Sequence, residues 1–322
     1  MKNIRIIGVG HKPAETCVTN DMLSEIVDTN DEWITTRTGI KTRYFSENKN
    51  TSELGYEAAL NAIKDAGIDK TEIEAIIVAT MTPDNAMPST ACLIQEMLGL
   101  NDQKIMAFDM NAACNGFISA LQVGSSLLGR FKTVLVVGAE TNSKILDFAD
   151  RSTCILFGDG AGAAVLRYEE CEKETFMYSN SMGDNKNVLT CKNNGLTPLM
   201  TSNRAVNNYM TMQGNDVFRF AIRVMEEAIV EVLKESNLTI DDIDCIIPHQ
   251  ANIRIIKHVA KSMNLPMEKV FVNLDKYGNT SSASIGIALS EAKVQGVIKE
   301  NDKVILVGFG GGFTYSSYLY QF

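Results

Sequence analysis

The sequence of 322 residues lacks the features that mark several large protein classes. Its seven cysteines, at positions 17, 92, 114, 154, 171, 191 and 245, show no CxxC or clustered spacing, which argues against a disulfide framework and a zinc site. The first apolar stretch, MKNIRIIGVG, is too short for a signal peptide or a membrane span and indicates a first strand in a cytoplasmic protein. With 30 basic against 39 acidic side chains, the net charge of -9 disfavours broad affinity for nucleic acid or anionic membrane. Any anionic ligand must therefore find a local basic site.

What the chain does have is a large apolar content, 45%, and a pattern that repeats itself. Short apolar runs alternate with longer amphipathic ones, which predicts an α/β fold. Segments of the second half match segments of the first in the same order, 165 to 170 residues further on: EIEAIIVATMTP with DIDCIIPHQAN, KIMAFDMNAAC with KVFVNLDKYGN, and TVLVVGAE with KVILVGFG. We therefore predict two duplicated α/β halves, residues 1–170 and 171–322. The polar stretch 171–210 is interpreted as a connecting excursion.

The repeat places three chemically capable side chains at comparable turns. Cys114 precedes a helical pattern and lies opposite Asn279, while His249 follows the matching strand of the second half. If an approximate two-fold axis relates the halves, these turns converge near the centre, where α/β sheets bind ligands. Cys114 is also expected to be favoured as a thiolate by the start of its helix. The alternatives are an inert buried cysteine, a solvated loop histidine and a helix-capping asparagine.

A cysteine with a histidine and an asparagine indicates acyl transfer through a thioester. Asparagine exchanges no protons, and the set contains no carboxylate base, so removal of a carbon-bound proton is disfavoured. Decarboxylation makes a carbanion without such a base, and His249 and Asn279 could donate hydrogen bonds to the resulting enolate oxygen. The residues therefore predict a decarboxylative carbon–carbon condensation.

The glycine loop GFGGGF at 308–313 would let backbone N–H groups approach the acyl oxygen. A phosphate cradle is the alternative, but the following FTYSSYLYQF alternates like a strand and supplies no helix. GDGAG at 158–162 is likewise followed by a strand pattern, AAVLRY. Each loop is therefore interpreted as leading into a strand, and neither is interpreted as a phosphate-binding loop.

The chain resembles the β-ketoacyl-acyl-carrier-protein synthase III family of thiolase-superfamily condensing enzymes along nearly its whole length. The motifs that carry the resemblance are DTNDEWITTRTGIKTR, AACNGF, DRSTCILFGDGAGAAVL, PHQANIRII, YGNTSSAS and GFGGGFT. The resemblance implies a thiolase-like five-layered fold, a homodimer and a catalytic triad of Cys114, His249 and Asn279. It also implies acyl transfer from acyl-CoA to the cysteine and condensation with malonyl-acyl carrier protein, which initiates fatty-acid synthesis. Neither a metal nor another cofactor is implied, since acyl-CoA is a substrate.

The resemblance also implies roles for residues around the triad. The N–H groups of Cys114 and Gly311 would form the oxyanion hole. Coenzyme A would contact Thr29, Trp33, Arg37 and Arg151, with its adenine between Trp33 and Arg151. From the sequence alone, the single tryptophan, in the polar segment DEWITTR, is as compatible with a core position as with a binding role.

Two further sets of residues are expected to contact the acyl carrier protein and the acyl group of the primer. Arg254, Lys257 and Lys261 form a basic stripe on a predicted helix, and an ordinary solvated face is one interpretation. The resemblance implies instead that this stripe, with Arg219, binds the acidic carrier protein. Met87 and Phe309 are assigned to the acyl pocket. Because family members often carry a bulkier aromatic at position 87 that reaches across the dimer, we expect a primer pocket that also admits branched or four-carbon acyl groups.

Other functions are compatible with parts of this pattern. A related condensing or acyl-transferring enzyme of secondary metabolism would use the same triad with another acceptor. A thiol hydrolase is disfavoured because the CG[SA]C[WY] signature is absent. A non-catalytic binding module is disfavoured because all three triad members are present.

Overall fold

The computed structural model describes residues 1–171, 173–184, 186–192 and 209–322. The strands are β1 (Ile4–Pro13), β2 (Thr16–Thr19), β3 (Thr42–Phe45), β4 (Ala75–Ala79), β5 (Met106–Met110), β6 (Thr133–Glu140), β7 (Gly160–Tyr168), β8 (Phe176–Ser181), β9 (Leu189–Cys191), β10 (Met210–Met212), β11 (Cys245–Pro248), β12 (Lys303–Gly310) and β13 (Thr314–Gln321). The α-helices are α1 (Asn20–Ser24), α2 (Asp31–Thr38), α3 (Thr51–Ala66), α4 (Thr90–Met97), α5 (Gly116–Leu127), α6 (Gly214–Ser236), α7 (Ile253–Ser262), α8 (Leu274–Tyr277) and α9 (Ala283–Val294).

The two principal sheets have the same strand order. The first runs β1-β7-β6-β4-β5, and the second runs β8-β13-β12-β11. In each sheet two antiparallel pairs are followed by a parallel pair, as in β6 beside β4 and β12 beside β11. The position of β5 is taken in the second sheet by a single parallel bridge between Ile246 and Val270. The predicted duplication is therefore confirmed.

Local sequence explains why the halves repeat. Helices α3 and α6 both end at a residue in the left-handed conformation, Gly67 and Asn237 respectively. A short 3-10 helix with a reciprocal capping box follows each of them, at Lys70–Glu72 and Ile240–Asp242. These turns lead directly into the buried parallel strands β4 and β11, which are equivalent in the two sheets.

The elements stack in five layers. Helices α5 and α9 lie between the two sheets and contact strands of both, while α3 and α4 cover the outer face of the first sheet. Helices α6 and α7 cover the outer face of the second. The largest apolar core, which includes Phe117, Leu289 and Tyr318, lies in this central layer. The predicted five-layered α/β fold is thus present.

The stretch 171–210 needs one correction. It was interpreted as an irregular connection, but β8 lies within it and pairs with β13 along six residues. Strand β8 occupies in the second sheet the place that β1 occupies in the first. Later in the stretch β9 pairs with β10, and residues 193–208 lie outside the described ranges.

In the part of the chain that the structure describes, no helix combines the length and apolar character needed to cross a membrane.

Candidate active site

Cys114 lies in a short 3-10 helix, Ala113–Asn115, between β5 and α5. Its thiol is buried, and its Sγ atom lies 3.2 Å from Ser281 Oγ. The preceding Ala113 has a φ of 47°, a left-handed conformation that is unfavourable for a residue with a Cβ atom. The turn before the helix, where the cysteine was expected, is therefore sharp and strained.

The backbone of β12 approaches this turn closely. A Cβ atom on Gly310 would lie 2.7 Å from Cys114 N and 2.9 Å from Ala112 O. Only glycine fits there, so the β12–β13 turn can lie against the N–H of the cysteine. Thr314, just after that turn, fixes it by donating to Ala112 O over 3.0 Å.

The expectation that Cys114 is favoured as a thiolate is wrong for the enzyme without substrate. Burial raises the pKa of its thiol to about 12, although the hydrogen bond with Ser281 acts in the opposite sense, and the charge of Glu140 raises it further. The helix-dipole argument omitted the desolvation of the charged form, which dominates in a buried site. The thiol is therefore neutral at physiological pH.

Asn279 is held so that its amide group is free to donate. Its Oδ1 atom accepts from the backbone N–H of Ser281 over 2.8 Å, so its Nδ2 atom is the remaining polar group. Its backbone donates to Leu156 O and accepts from Gly158 N–H, which fixes the turn. The alternative of a helix cap is not realised, since α9 begins at Ala283 with Ser282 as its N-cap.

His249 follows β11 and is buried, with 1% of its surface exposed. Its Nδ1 atom lies 2.7 Å from Ser284 Oγ. Burial lowers the pKa of the imidazole to about 3, so the ring is neutral. If Ser284 donates to Nδ1, the proton of the neutral ring resides on Nε2, which then acts as a donor.

The first turn of α9 and the residues just before it connect the three predicted triad members. Ser281 contacts Cys114 and Asn279, while Ser284, three residues later, contacts His249. Sequence reasoning missed both serines. Both serines lie in YGNTSSAS, but the sequence indicates a catalytic role only for the asparagine of that segment.

A cavity of about 760 Å³ opens at Cys114 and includes Gly311, the other residue assigned to the oxyanion hole. Most of its wall is apolar, and Asp84, Lys144 and Lys192 add charged groups; the principal apolar residues are Met81, Ala86, Ile145, Phe157, Leu189 and Met210. Such a cavity suits an acyl chain attached to the cysteine.

The two residues assigned to the acyl pocket do not line this cavity. Phe309 is buried and packs edge-on against the His249 ring, with 5.3 Å between centroids. It therefore supports the histidine from within the apolar cluster that the second sheet forms with α6 and α7. Met87 is 85% exposed and lies beside the cavity residue Ala86, so it faces away from this chain's own cavity.

Three of the four residues assigned to coenzyme A form one cluster, the Trp33 cluster of Trp33, Arg37 and Arg151. The guanidinium carbons of Arg37 and Arg151 lie 4.4 and 5.2 Å from the centroid of the Trp33 ring system. Adenine between Trp33 and Arg151 would need roughly 7–8 Å, two van der Waals contacts, so Arg151 must move to admit it. Arg151 is held by Asp28, through its carbonyl at 2.8 Å and its carboxylate at 3.3 Å. The Oγ1 atom of Thr29 is buried, and none of the residues that the structure describes forms a hydrogen bond with it.

The predicted carrier-protein residues lie on the surface of α6 and α7. Arg254, Lys257 and Lys261 are exposed on α7, and Arg254 lies over the Phe218 ring of α6 at 5.7 Å. Arg219 is 77% exposed at its side chain but is paired with Asp216 at 2.5 Å. The α7 N-cap Asn252 donates to Arg37 O, which joins this surface to the Trp33 cluster.

Comparison with known proteins gives a consistent result. Two family models match: 3-oxoacyl-[acyl-carrier-protein (ACP)] synthase III over residues 108–185 and its C-terminal part over residues 233–322. The chain is 48% identical to the beta-ketoacyl-[acyl-carrier-protein] synthase III of Clostridium acetobutylicum, over 98% of each chain. It is 42% identical to the solved 3-oxoacyl-[acyl-carrier-protein] synthase III of Aquifex aeolicus, with a TM-score of 0.93 over 99% of this chain and 100% of the other.

A polyketide enzyme has the same architecture at lower identity. The priming β-ketosynthase of the R1128 pathway is 32% identical, with a TM-score of 0.92 over 99% of this chain and 96% of the other. The five-layered arrangement is therefore shared with enzymes of both fatty-acid and polyketide synthesis.

Proposed function

Because the chain belongs to the 3-oxoacyl-[acyl-carrier-protein] synthase III family, a family of condensing acyltransferases that initiate fatty-acid synthesis, we propose a role for each residue of its site. Cys114 carries the acyl group, and His249 and Asn279 stabilise the enolate formed by decarboxylation. The observations that carry this assignment are the hydrogen bonds made by the other polar atom of each side chain. Asn279 Oδ1 accepts from Ser281 N–H, which leaves Nδ2 as a donor. In this assignment Ser284 donates to His249 Nδ1, so the ring proton resides on Nε2.

In the first half-reaction, the sulfur of Cys114 attacks the thioester carbon of an acyl-CoA. The C–S bond to coenzyme A breaks, and coenzyme A leaves as a thiol with the proton that the cysteine gives up. Because the cysteine starts as a neutral thiol, this proton must leave as the new bond forms. The N–H groups of Cys114 and Gly311 would form the oxyanion hole by donating hydrogen bonds to the developing oxyanion.

In the second half-reaction, malonyl-acyl carrier protein loses CO₂ by cleavage of its carbon–carboxylate bond. The electron pair forms an enolate whose oxygen accepts hydrogen bonds from His249 Nε2 and Asn279 Nδ2. The enolate carbon attacks the acyl-cysteine, and Cys114 leaves as a thiolate that takes one proton from solvent. The products are CO₂ and a 3-oxoacyl carrier protein. These steps require neither a metal ion nor a further cofactor.

The substrates would reach the site from the face formed by α2 and α7. Coenzyme A would use the Trp33 cluster, which combines an aromatic surface with the guanidinium groups of Arg37 and Arg151, and also Thr29. The acidic carrier protein would bind Arg254, Lys257 and Lys261, with Arg219 at the edge. This local basic surface would attract an acidic partner although the net charge of the whole chain is -9.

The enzyme would act as a homodimer. Strand β5 is the edge of the first sheet, and no described strand pairs with its outer side. Met106 on β5 is 43% exposed and Met87 is 85% exposed, and such exposed apolar side chains beside an open edge favour association. In a symmetric dimer Met87 would close the acyl cavity of the partner.

The test separates the two half-reactions. The purified enzyme is mixed with acetyl-CoA, and the acyl-enzyme and the 3-oxoacyl carrier protein are measured by mass spectrometry, before and after malonyl-acyl carrier protein. We expect Asn279→Ala and His249→Ala to form the acyl-enzyme but to lose product formation by about 10²–10³-fold each. Asn61→Ala, on the exposed face of α3, is the matched control. Full product formation by both site variants would refute the assignment.

A further inference from the structure

Glu140, the last residue of β6, is a buried carboxylate that the proposed chemistry does not use. Its exposed fraction is 0%. Among the described residues, no basic side chain forms an ion pair with it. A buried carboxylate without a cationic partner is costly unless it is fully hydrogen-bonded, so its contacts indicate why it is there.

Its two oxygens accept hydrogen bonds from two separate segments. Oε1 accepts from Ser282 Oγ over 2.6 Å, and Oε2 accepts from Thr82 Oγ1 over 2.5 Å and Thr82 N over 3.1 Å. Met81 N lies 3.2 Å from both oxygens, and Thr80 Oγ1 lies 3.3 Å from Oε2. One side chain thus joins the segment after β4 to the start of α9.

These two segments are the ones that shape the reaction centre. Met81 and Thr82 form part of the wall of the acyl cavity. Ser282 directly follows Ser281, whose hydroxyl contacts Cys114 and whose N–H holds Asn279. A shift of Ser282 would therefore move the contacts of both catalytic groups relative to the cavity wall.

We propose that Glu140 is a positioning residue that clamps the cavity wall at Met81 and Thr82 to the Ser281–Ser282 turn. It thereby fixes the positions of the acyl chain, Cys114 and the Asn279 Nδ2 donor relative to one another. This inference rests on the proposed function of Cys114 and Asn279, but it concerns geometry and not a step of the reaction. Glu140 itself would touch neither substrate.

The carboxylate also has an electrostatic signature that a purely structural group would lack. Burial raises the pKa of Glu140 to about 7, against the hydrogen bonds that lower it, and its charge raises the pKa of Cys114. Lys144 also interacts with Glu140, and it interacts in turn with Asp84 and Asp159. Removal of the Glu140 charge should therefore leave more of Cys114 as thiolate at a given pH.

The chain offers a substitution that keeps the clamp and removes the charge. In Glu140→Gln the amide oxygen can accept from Met81 N and Thr82 N. The amide NH₂ can donate to Ser282 Oγ, whose single proton then turns to Ala79 O, 2.9 Å away. Glu140→Ala removes both the clamp and the charge. Asp65→Asn is the matched control, because that carboxylate joins β1 to α9 far from the cavity.

Three measurements test the positioning role of Glu140: kcat, KM for malonyl-acyl carrier protein, and the rate at which iodoacetamide alkylates Cys114 at pH 8. We expect Glu140→Ala to lower kcat about 100-fold, the effect of a displacement near 1 Å, with KM for the carrier protein unchanged. Glu140→Gln should change kcat by less than about tenfold and should speed alkylation of Cys114. Asp65→Asn should match the unaltered enzyme in all three.

Near-normal kcat in Glu140→Ala would overturn the proposal, and so would an equal loss of kcat in Glu140→Gln. Should Glu140→Ala fail to fold, Ser282→Ala and Thr82→Val each remove one hydroxyl from the clamp, and unchanged kcat in both would also overturn it. Failure of the unaltered enzyme to form an acyl-cysteine would instead contradict the proposed function, since that step is measured separately.

Discussion

At the scale of single residues, burial acts in opposite senses on Cys114 and His249 and leaves both neutral. It raises the pKa of the thiol to about 12 and lowers the pKa of the imidazole to about 3. A resting thiolate–imidazolium pair is thus disfavoured in this site. A neutral histidine suits an enolate oxygen, to which it donates a hydrogen bond without losing its proton.

This arrangement predicts the pH dependence of cysteine alkylation. Because the thiolate is the reactive form, the rate of Cys114 modification by iodoacetamide should rise about tenfold per pH unit and show no plateau below pH 10. Peptide mass spectrometry after timed quenching identifies the modified cysteine. The exposed Cys17 and Cys92 serve as internal references. A plateau near pH 7 at Cys114 would show an ion pair and contradict the neutral site.

At the scale of elements, the beginning of α9 organises the chemistry. Ser281, Ser282 and Ser284 contact Cys114, Glu140 and His249 respectively. Helix α7 organises the surface, because its exposed basic side chains and its N-cap join the proposed carrier-protein site to the Trp33 cluster. One helix thus connects groups inside the site and another connects the two substrate surfaces.

The basic face of α7 gives a prediction at this scale. We expect Arg254→Glu to raise KM for malonyl-acyl carrier protein about tenfold at low salt, because a reversed charge opposes association with an acidic partner. Steady-state kinetics at two salt concentrations measure this effect. Lys234→Glu, exposed at the far end of α6, is the control. An unchanged carrier-dependent rate in Arg254→Glu would refute the docking surface.

At the scale of the whole molecule, duplication creates the site. Cys114 comes from the first half, and His249 and Asn279 come from the second, so neither half holds the triad alone. The second sheet has a single bridge at Val270 where the first has a full β5. In the described part of the chain, the parallel end of the first sheet is therefore a full strand, whereas that of the second sheet has one bridge beyond β11.

The proposed dimer makes Met87 a determinant of primer choice. Met87→Phe should reduce turnover of branched and four-carbon acyl-CoA relative to acetyl-CoA, because the larger ring would fill the partner's cavity. Competition assays with mixed acyl-CoAs measure the ratio, and sedimentation confirms the oligomeric state. Met267→Phe, which is 36% exposed on another surface, is the control. An unchanged ratio, or a monomer, would contradict this role.

Much of this organisation could be predicted, because local sequence patterns specify it and because the same patterns occur in both halves. The repeated helix–turn–strand segments indicated the duplicated halves, and the turns at Cys114 and His249 followed from them. The pKa of Cys114 and the packing of Phe309 against His249 could not be predicted, because both depend on contacts between segments that are distant in the sequence. Strand β8 was missed because only pairing with β13 identifies it.

The most direct test of the central claim is the mass of the peptide that contains Cys114 after exposure to acyl-CoA. Proteolysis and tandem mass spectrometry, with and without later addition of malonyl-acyl carrier protein, locate the acyl group and follow its loss. We predict one acyl group on Cys114, which disappears as the 3-oxoacyl carrier protein forms. Acylation at another cysteine, or an acyl-Cys114 that malonyl-acyl carrier protein leaves unchanged, would contradict the account.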